Sequence, residues 1–325
     1  MGGSAIGTVL RALAITALML AARCTLAQPY PNHPIKLVVP FAPGGSVDFV
    51  ARTIQSGLAE QLGQPVVIDN KVGAGGIIAA EFTARQAGDG YTVLLSNVSI
   101  MAVFPIVHPH LSYDPAKDFA PVGMTATTVH VAAIHPKVPA NTLDEFIAYA
   151  KANPGKVAAG VGAGTGSLVH FTMEMFRAQA GIDLLVVPYK ASAPAINDLL
   201  GGQIQLLIDS GVMPHVKSGR LKAIAVSGNS RLPTLPDTPT FKEAGFKGFN
   251  GGWHGLVVPA TTPPAVIRTL SEALMKTLAQ TDVKEKLTAQ GFTVTRSTPE
   301  EFSEQIRADR ERAQQLARTV SIKLE

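Results

Sequence analysis

One local plan recurs along this 325-residue chain: a short apolar stretch, a turn of glycine or serine, then apolar residues every third or fourth position. Each such unit predicts a buried strand followed by an amphipathic helix. Repeated units of this kind assemble into an α/β fold, with helices covering mixed, largely parallel sheets. The first unit has a strand over 35–41, a turn through Ala42, Pro43, Gly44, Gly45 and Ser46, and a helix with Val47, Val50, Ala51, Ile54, Leu58 and Leu62 on one face. The second has a strand over 66–68, the turn Gly73, Ala74, Gly75 and Gly76, and a helix carrying Ile77, Ile78 and Phe82. A strand over 91–95 then ends at Ser96 and Asn97, and residues 101–121, rich in proline and histidine, read as a long loop.

A second block begins near Thr127. Strands are expected over 129–134, 157–161, 184–187, 204–208 and 221–226. Thr142 and Glu145 have the spacing of a capping box, as do Thr298 and Glu301 with Pro299 between them. Glycines 162, 164 and 166 and Ser167 lead into a helix through Leu168, Phe171, Met175 and Phe176. Helices over 263–278, 282–290 and from 299 to about 318 close the chain, with a short strand at 292–294. The two blocks, joined near 124–127 and 246–255, predict two lobes. Residues 28–125 and 250–325 form the first, and 126–249 the second.

Residues 1–27 have the layout of an export signal: Arg11, an uncharged apolar run over 12–22, and small residues around Thr25 and Ala27. The run is roughly 16 Å long as a helix, too short for a hydrocarbon core of about 30 Å. Cleavage after Ala27 would remove Arg11, Arg23 and Cys24, the single cysteine. A thiol-free mature chain suits an oxidising compartment, here the periplasm. Arg23 directly before Cys24 argues against lipid attachment at that cysteine.

Composition narrows the function. Charged residues are 16%, the formal net charge is +4, and aromatic residues are 6%. That balance excludes a nucleic-acid binder, which needs a concentrated basic face. A single cysteine excludes a disulfide framework and thiolate zinc sites. No G-x-S-x-G or H-E-x-x-H occurs. The glycines at 162, 164 and 166 do not have dinucleotide-binding spacing, and Asp183 precedes the next strand instead of ending it. His108 and His110 read as a solvated loop, not a metal pair. No catalytic residue, metal or cofactor is expected.

The turns can instead hold an anion. A helix N-terminus presents unpaired N–H groups and about half a positive charge. Glycine lets a ligand approach that backbone closely. Gly44, Gly45 and Ser46, then Gly73 to Gly76, then Thr165, Gly166 and Ser167, are candidate cradles for a carboxylate or a phosphate. Any one alone is more readily a plain turn, but three in one chain, each at a strand–helix junction, move the balance toward a shared anionic ligand. His170, one turn into its helix, either faces a ligand or packs. Asp48 complements the helix dipole or fixes the loop by accepting backbone N–H bonds. Asp209, at a strand end, either meets a ligand amine or hydroxyl or is structural. Trp253 reads as packing between lobes.

These pieces resemble the Bug family of extracytoplasmic solute receptors, the binding proteins of tripartite tricarboxylate transporters. The resemblance runs from about Tyr30 to the C-terminus. It is carried by Pro34 and Ile35, by Pro40 through Asp48 with Ala51 and Arg52, and by Gly73 through Gly76. Asp89 to Thr92, Tyr113 to Pro115, Asp118 and Phe119 follow in the same order. Further on come Pro188 to Lys190, Asp198 to Gly202, Leu235 to Thr240, Glu243 to Gly245, Trp253, Pro259, Ala260, Thr262 and Pro263. It implies a two-lobed clamshell that closes on a small organic carboxylate without covalent chemistry. It places Phe41, Ala42, Gly44, Gly45, Ser46, Gly73, Ala74, Gly75 and Gly76 at the ligand from the first lobe, and we add Ser96 and Asn97 at the strand end. Thr165, Gly166, Ser167, Lys190, Ala191 and Asp209 would come from the second, with His170 beside them. Ala191 stands where the family commonly has glycine, adding a methyl near the cleft. The expected partner of a monomeric receptor is a membrane transporter. A sensor kinase as partner, or a periplasmic hydrolase or isomerase, are the rival readings.

Overall fold

The computed structural model describes residues 30–108, 110–162 and 167–319. The export signal over 1–27, Cys24, and the cradle residues Thr165 and Gly166 lie outside the described residues. The chain divides into two units, Met1–Asn32 and His33–Glu325, and every strand and helix named below belongs to the second.

The first strand, β1 (Ile35–Val39), leads through the glycine turn into α1 (Ser46–Leu62). The periodic residues Val47, Val50, Ala51, Ile54, Leu58 and Leu62 are all buried. Next come β2 (Val66–Asn70), a 3-10 turn (Ala74–Gly76), α2 (Ile77–Ala84) and β3 (Thr92–Asn97). After β3 the expected long loop is largely ordered structure. A π-helical turn (Ser99–Val103) runs into α3 (Phe104–Val107), and α4 (Pro115–Asp118) leads into β4 (Phe119–Thr128). Its prolines do not break these elements. Pro105 and Pro115 sit in first helical turns, where a missing N–H costs nothing. Pro121 lies in a part of β4 that has a strand partner on one side only, because β11 pairs with Ala126, Thr127 and Thr128 alone. Ile100, Met101, Ala102, Val103 and Phe104 form an apolar run that is entirely buried. Burial of that run holds the segment in place.

The second block contains β5 (Val131–Ile134), α5 (Leu143–Ala152), β6 (Ala158–Val161), α6 (Leu168–Ala180) and β7 (Leu185–Pro188). It continues with α7 (Ser192–Gly201), β8 (Leu206–Asp209), α8 (Met213–Lys217) and β9 (Lys222–Val226). The chain then forms β10 (Gly252–Pro259), α9 (Pro264–Thr277), α10 (Thr281–Ala289), β11 (Phe292–Val294) and α11 (Pro299–Thr319). Both capping threonines accept the expected bond, Thr142 from the Glu145 amide and Thr298 from the Glu301 amide. Glu301 reaches back to the Thr298 amide at 2.9 Å, whereas Glu145 reaches one residue further, to Asn141.

Among the described residues eleven strands form two sheets, in the orders β11-β4-β10-β3-β1-β2 and β7-β6-β8-β5-β9. Each has a parallel group, β2-β1-β3 in one and β7-β6-β8 in the other, flanked by antiparallel strands. Of the antiparallel strands, β5, β9 and β11 were legible in the sequence, and β4 and β10 were not. β4 runs unbroken through the first expected connector, and β10 begins inside the second. Gly251, Gly252 and His254 conceal the β10 pattern until Leu256, Val257 and Val258.

Only Val129 and His130 separate β4 in the first sheet from β5 in the second, and residues 227–251 return the chain. These two crossings are tied together. The Ser227 amide donates to the His130 carbonyl, and the Ser227 hydroxyl accepts from the His130 amide, both at 2.8 Å. The last helix, α11, braces the first sheet. Phe302 is fully buried edge-on against Trp253, 4.8 Å between rings. The Trp253 indole N–H donates to Asp309 at 2.7 Å. Among the described residues no helix is long and apolar enough to cross a membrane.

Candidate functional site

A cavity of about 400 Å³ lies between the two sheets, walled by the ends of their strands and the turns that follow them. Ligands in α/β proteins collect at this place, beyond strand C-termini, because helix N-termini converge there. Three helices begin at this wall, and their first turns differ.

The β1–α1 turn is open toward the cavity. Phe41, Ala42, Pro43, Gly44, Gly45 and Ser46 all line it. No side chain caps α1. The amides of Ser46, Val47 and Asp48 have no hydrogen-bond acceptor among the described residues. The turn is held from behind by Asp48, which is 1% exposed. Its carboxylate accepts from the Gly44 amide at 2.9 Å, from Arg52 Nε at 2.7 Å and from Asn70 Nδ2 at 2.9 Å. Burial alone would raise this carboxyl, but the bonds from Arg52, Gly44 and Asn70 outweigh it and hold it below the usual carboxylate range. Asn70 also donates to the Phe41 carbonyl, so the end of β2 fixes both ends of the turn. The loop-fixing alternative for Asp48 is the geometry observed. Because Arg52 already neutralises Asp48, the open end of α1 keeps its positive field.

At α6 the same kind of sequence has a different outcome. Ser167 is the N-cap, and its hydroxyl accepts from the His170 amide at 3.3 Å. The Leu168 amide donates to Ser99 Oγ at 2.9 Å, a bond from the second-sheet block to the segment after β3. Two donors of this helix end, the Leu168 and His170 amides, are therefore used by hydroxyls. Leu168 and Val169 line the cavity, but Ser167, 1% exposed, and His170 do not. His170 approaches Glu174 at 3.8 Å along its own helix.

The third helix, α7, begins at Ser192 without a side-chain cap, and Lys190, Ala191, Ser192 and Ala193 line the cavity. Its field is met by Asp209, which is 4% exposed. Asp209 accepts from Ser192 Oγ and from the Gly211 amide, both at 2.7 Å. Gly162 closes this corner. A Cβ there would stand 2.9 Å from Asp209 Oδ2 and from Ser192 Cα, so no other residue fits. Lys190, exposed, is the one lysine or arginine among the described lining residues.

Of the expected site residues, Phe41, Ala42, Gly44, Gly45, Ser46, Asn97, Lys190, Ala191 and Asp209 stand together on the cavity wall. The turn Gly73, Ala74, Gly75 and Gly76 does not reach it. Its neighbour Val72 does. Gly75 and Gly76 have φ of +65° and +108°, and side chains there would strike Phe104 and Ile100. Ser96 is fully buried inside the first sheet, opposite Gly255, and is also not on the wall.

The structure adds residues that local sequence did not mark: Val98, Ser99, Thr128, His130, Trp253 and His254. Most of them come from the crossings, where residues 128–130 meet 252–254. No short-range pattern announces such a meeting. Burial pushes His130 down, against the pull of Asp209. Burial, with His130 adding to it, pushes His254 down to about 4, so both rings are neutral near pH 7. Trp253 both lines the cavity and joins the sheet to α11. Among the described residues no group of histidine, cysteine, aspartate or glutamate is placed to hold a metal ion.

The sequence profile of the tripartite tricarboxylate transporter family receptor matches residues 50–322. Protein BugT of Bordetella pertussis is 38% identical over 299 residues, spanning 90% of this chain and 91% of that protein. Among solved structures, the R. palustris protein Rpa4515 with adipate is 33% identical with a TM-score of 0.84, covering 90% of this chain and 99% of that one. MatC from Rhodopseudomonas palustris with bound malate is 31% identical with a TM-score of 0.82, covering 88% and 99%. The two-sheet architecture is thus that of two-lobed periplasmic solute-binding proteins. The chain belongs to the tripartite tricarboxylate transporter receptor family, a family of solute-binding receptors.

Proposed function

We propose that this protein captures a small organic carboxylate in the cavity between its lobes and delivers it to a membrane transporter of the tripartite tricarboxylate type. The observation that carries this reading is the first turn of α1: uncapped, exposed to the cavity, with its neighbouring acid already paired to Arg52. A carboxylate placed there gains backbone N–H bonds and the helix dipole without displacing an internal partner. The carboxylate ligands of the adipate- and malate-bound relatives support the same class of ligand here.

In this reading Phe41 to Ser46 hold the carboxylate, and Asn97, Lys190, Ala191 and Asp209 complete the wall. The lobes divide near residues 125 and 250. They pivot where the crossings meet at His130 and Ser227, and ligand favours the closed form. The signal over 1–27 directs a monomeric receptor to the periplasm, and binding involves no covalent step.

A thermal-shift screen of the mature protein with mono- and dicarboxylates tests this. A ligand at a hundred times its dissociation constant adds about 2.7 kcal/mol of stability, a rise of several degrees. Stabilisation by sugars or cationic amines, and by no carboxylate, refutes the reading.

A further inference from the structure

His130 and His254 reach the cavity from the two crossings, and each is more than nine-tenths buried. Neither ring has a hydrogen-bond partner among the described residues. Phe292 packs against His254 with 5.8 Å between rings. Asp209 is felt by His130, but its oxygens are already engaged by Ser192 and Gly211. Nδ1 of His254 is sealed from solvent with no partner. A sealed lone pair is less costly than a sealed, unpaired N–H, so the proton of this ring sits on Nε2. Nε2–H is then a donor with no internal acceptor. The other ring nitrogens, Nε2 of His254 and both of His130, are not sealed in protein, so they stand as hydrogen-bonding groups that a molecule in the cavity can engage.

The rest of the wall shows what kind of ligand could do so. Phe41, Val47, Val98, Leu168 and Val169 make it largely apolar. Apart from the first turn of α1, the fixed positive charge is the exposed Lys190, while Asp209 opposes a second anion. We infer that His130 and His254 are specificity-determining residues that bind an uncharged polar group, a hydroxyl or ring nitrogen, on the apolar body of a monocarboxylate. This rests on the carboxylate reading above and narrows it from carboxylates in general to monocarboxylates with a neutral polar substituent. Burial favours the neutral form of both rings, which suits a neutral group and not a second carboxylate.

The experiment is calorimetric titration of the full mature chain with 4-hydroxybenzoate, benzoate and adipate, repeated with His254→Phe and His254→Gln. The wild-type protein is expected to bind 4-hydroxybenzoate about tenfold more tightly than benzoate, the value of one net hydrogen bond. Adipate should be the weakest of the three. The hydroxyl advantage should vanish in His254→Phe and survive in part in His254→Gln, with thermal unfolding used to check that each variant folds. Adipate binding most tightly, no hydroxyl advantage in the wild type, or an undiminished one in His254→Phe overturns the inference. The wild-type series decides the matter even if a variant does not fold. Failure of all three acids removes the inference and leaves the carboxylate reading to the wider screen above, whereas tight adipate binding supports that reading and removes only the inference.

Discussion

The first turns of α1 and α6 look alike in sequence. Each follows a strand, contains glycines, and ends on a serine. In the structure Ser46 is the first residue of an uncapped helix whose amides face the cavity. Ser167 is a cap whose hydroxyl is spent on its own helix, while Ser99 takes the next amide. A glycine–serine turn therefore states only that a helix begins there. Whether its donors remain for a ligand depends on acceptors supplied from elsewhere in the fold. For α1 the nearby acceptor, Asp48, turns back to Gly44, Arg52 and Asn70 and leaves the first turn free.

The contrast can be broken in several ways. The largest effect is expected from Asp48→Ala. It strips the Gly44 amide and Asn70 of a buried partner and should cost about 2–3 kcal/mol in stability, read by denaturant unfolding. It should also lower carboxylate affinity, because the α1 turn loses its tether. An unchanged unfolding midpoint would show that the turn is held in another way.

Next in size is Ser46→Asp, which puts a negative charge at the open helix end. We expect at least a tenfold loss of carboxylate affinity, about 1.4 kcal/mol, by calorimetry. Ser167→Asp keeps a good capping residue at α6 and should change affinity by less than about twofold. Equal losses in both variants would erase the distinction between the two helix ends.

Ser167→Ala should lower stability by about 1 kcal/mol through loss of the cap while leaving affinity in place. A large affinity loss here would make α6 a ligand seat. The smallest effect is assigned to Ser99→Ala. Removing one bond between the two blocks should cost about 0.5–1 kcal/mol and shift the balance of closed and open forms, seen by small-angle scattering of the ligand-free protein. No change in stability or scattering would reduce that bond to an incidental contact.

Acidity tests a different part of the wall. His254 has its pKa pushed down to about 4 in the folded protein, against about 6.5 unfolded. Its contribution is fully present above pH 6.5 and is lost as pH falls toward 4, about 3 kcal/mol in all. His254→Gln should flatten the stability profile over that window.

Features set by local signals were legible in the sequence. Helical period, strand-ending turns and capping threonines located most elements, and strand ends located Phe41 to Ser46, Lys190, Ala191 and Asp209. Features set by distant contacts were not. The turn at Gly73 to Gly76 carries the same glycine signal as the α1 turn, but Phe104 and Ile100 pack against Gly75 and Gly76 and the turn stands off the cavity wall. Residues 101–121 read as loop because proline and histidine masked a buried apolar run. His130 and His254 were passed over because their meeting depends on strands β4 and β10 crossing side by side, which neither stretch reveals alone.

The bond from Trp253 to Asp309 has a practical consequence. The cavity wall is anchored 56 residues downstream, in the final helix. A cut, fusion or purification tag that disturbs α11 therefore reaches the cavity wall through a single indole. Constitutive changes in affinity after such handling would report on the anchor, not on the ligand contacts themselves.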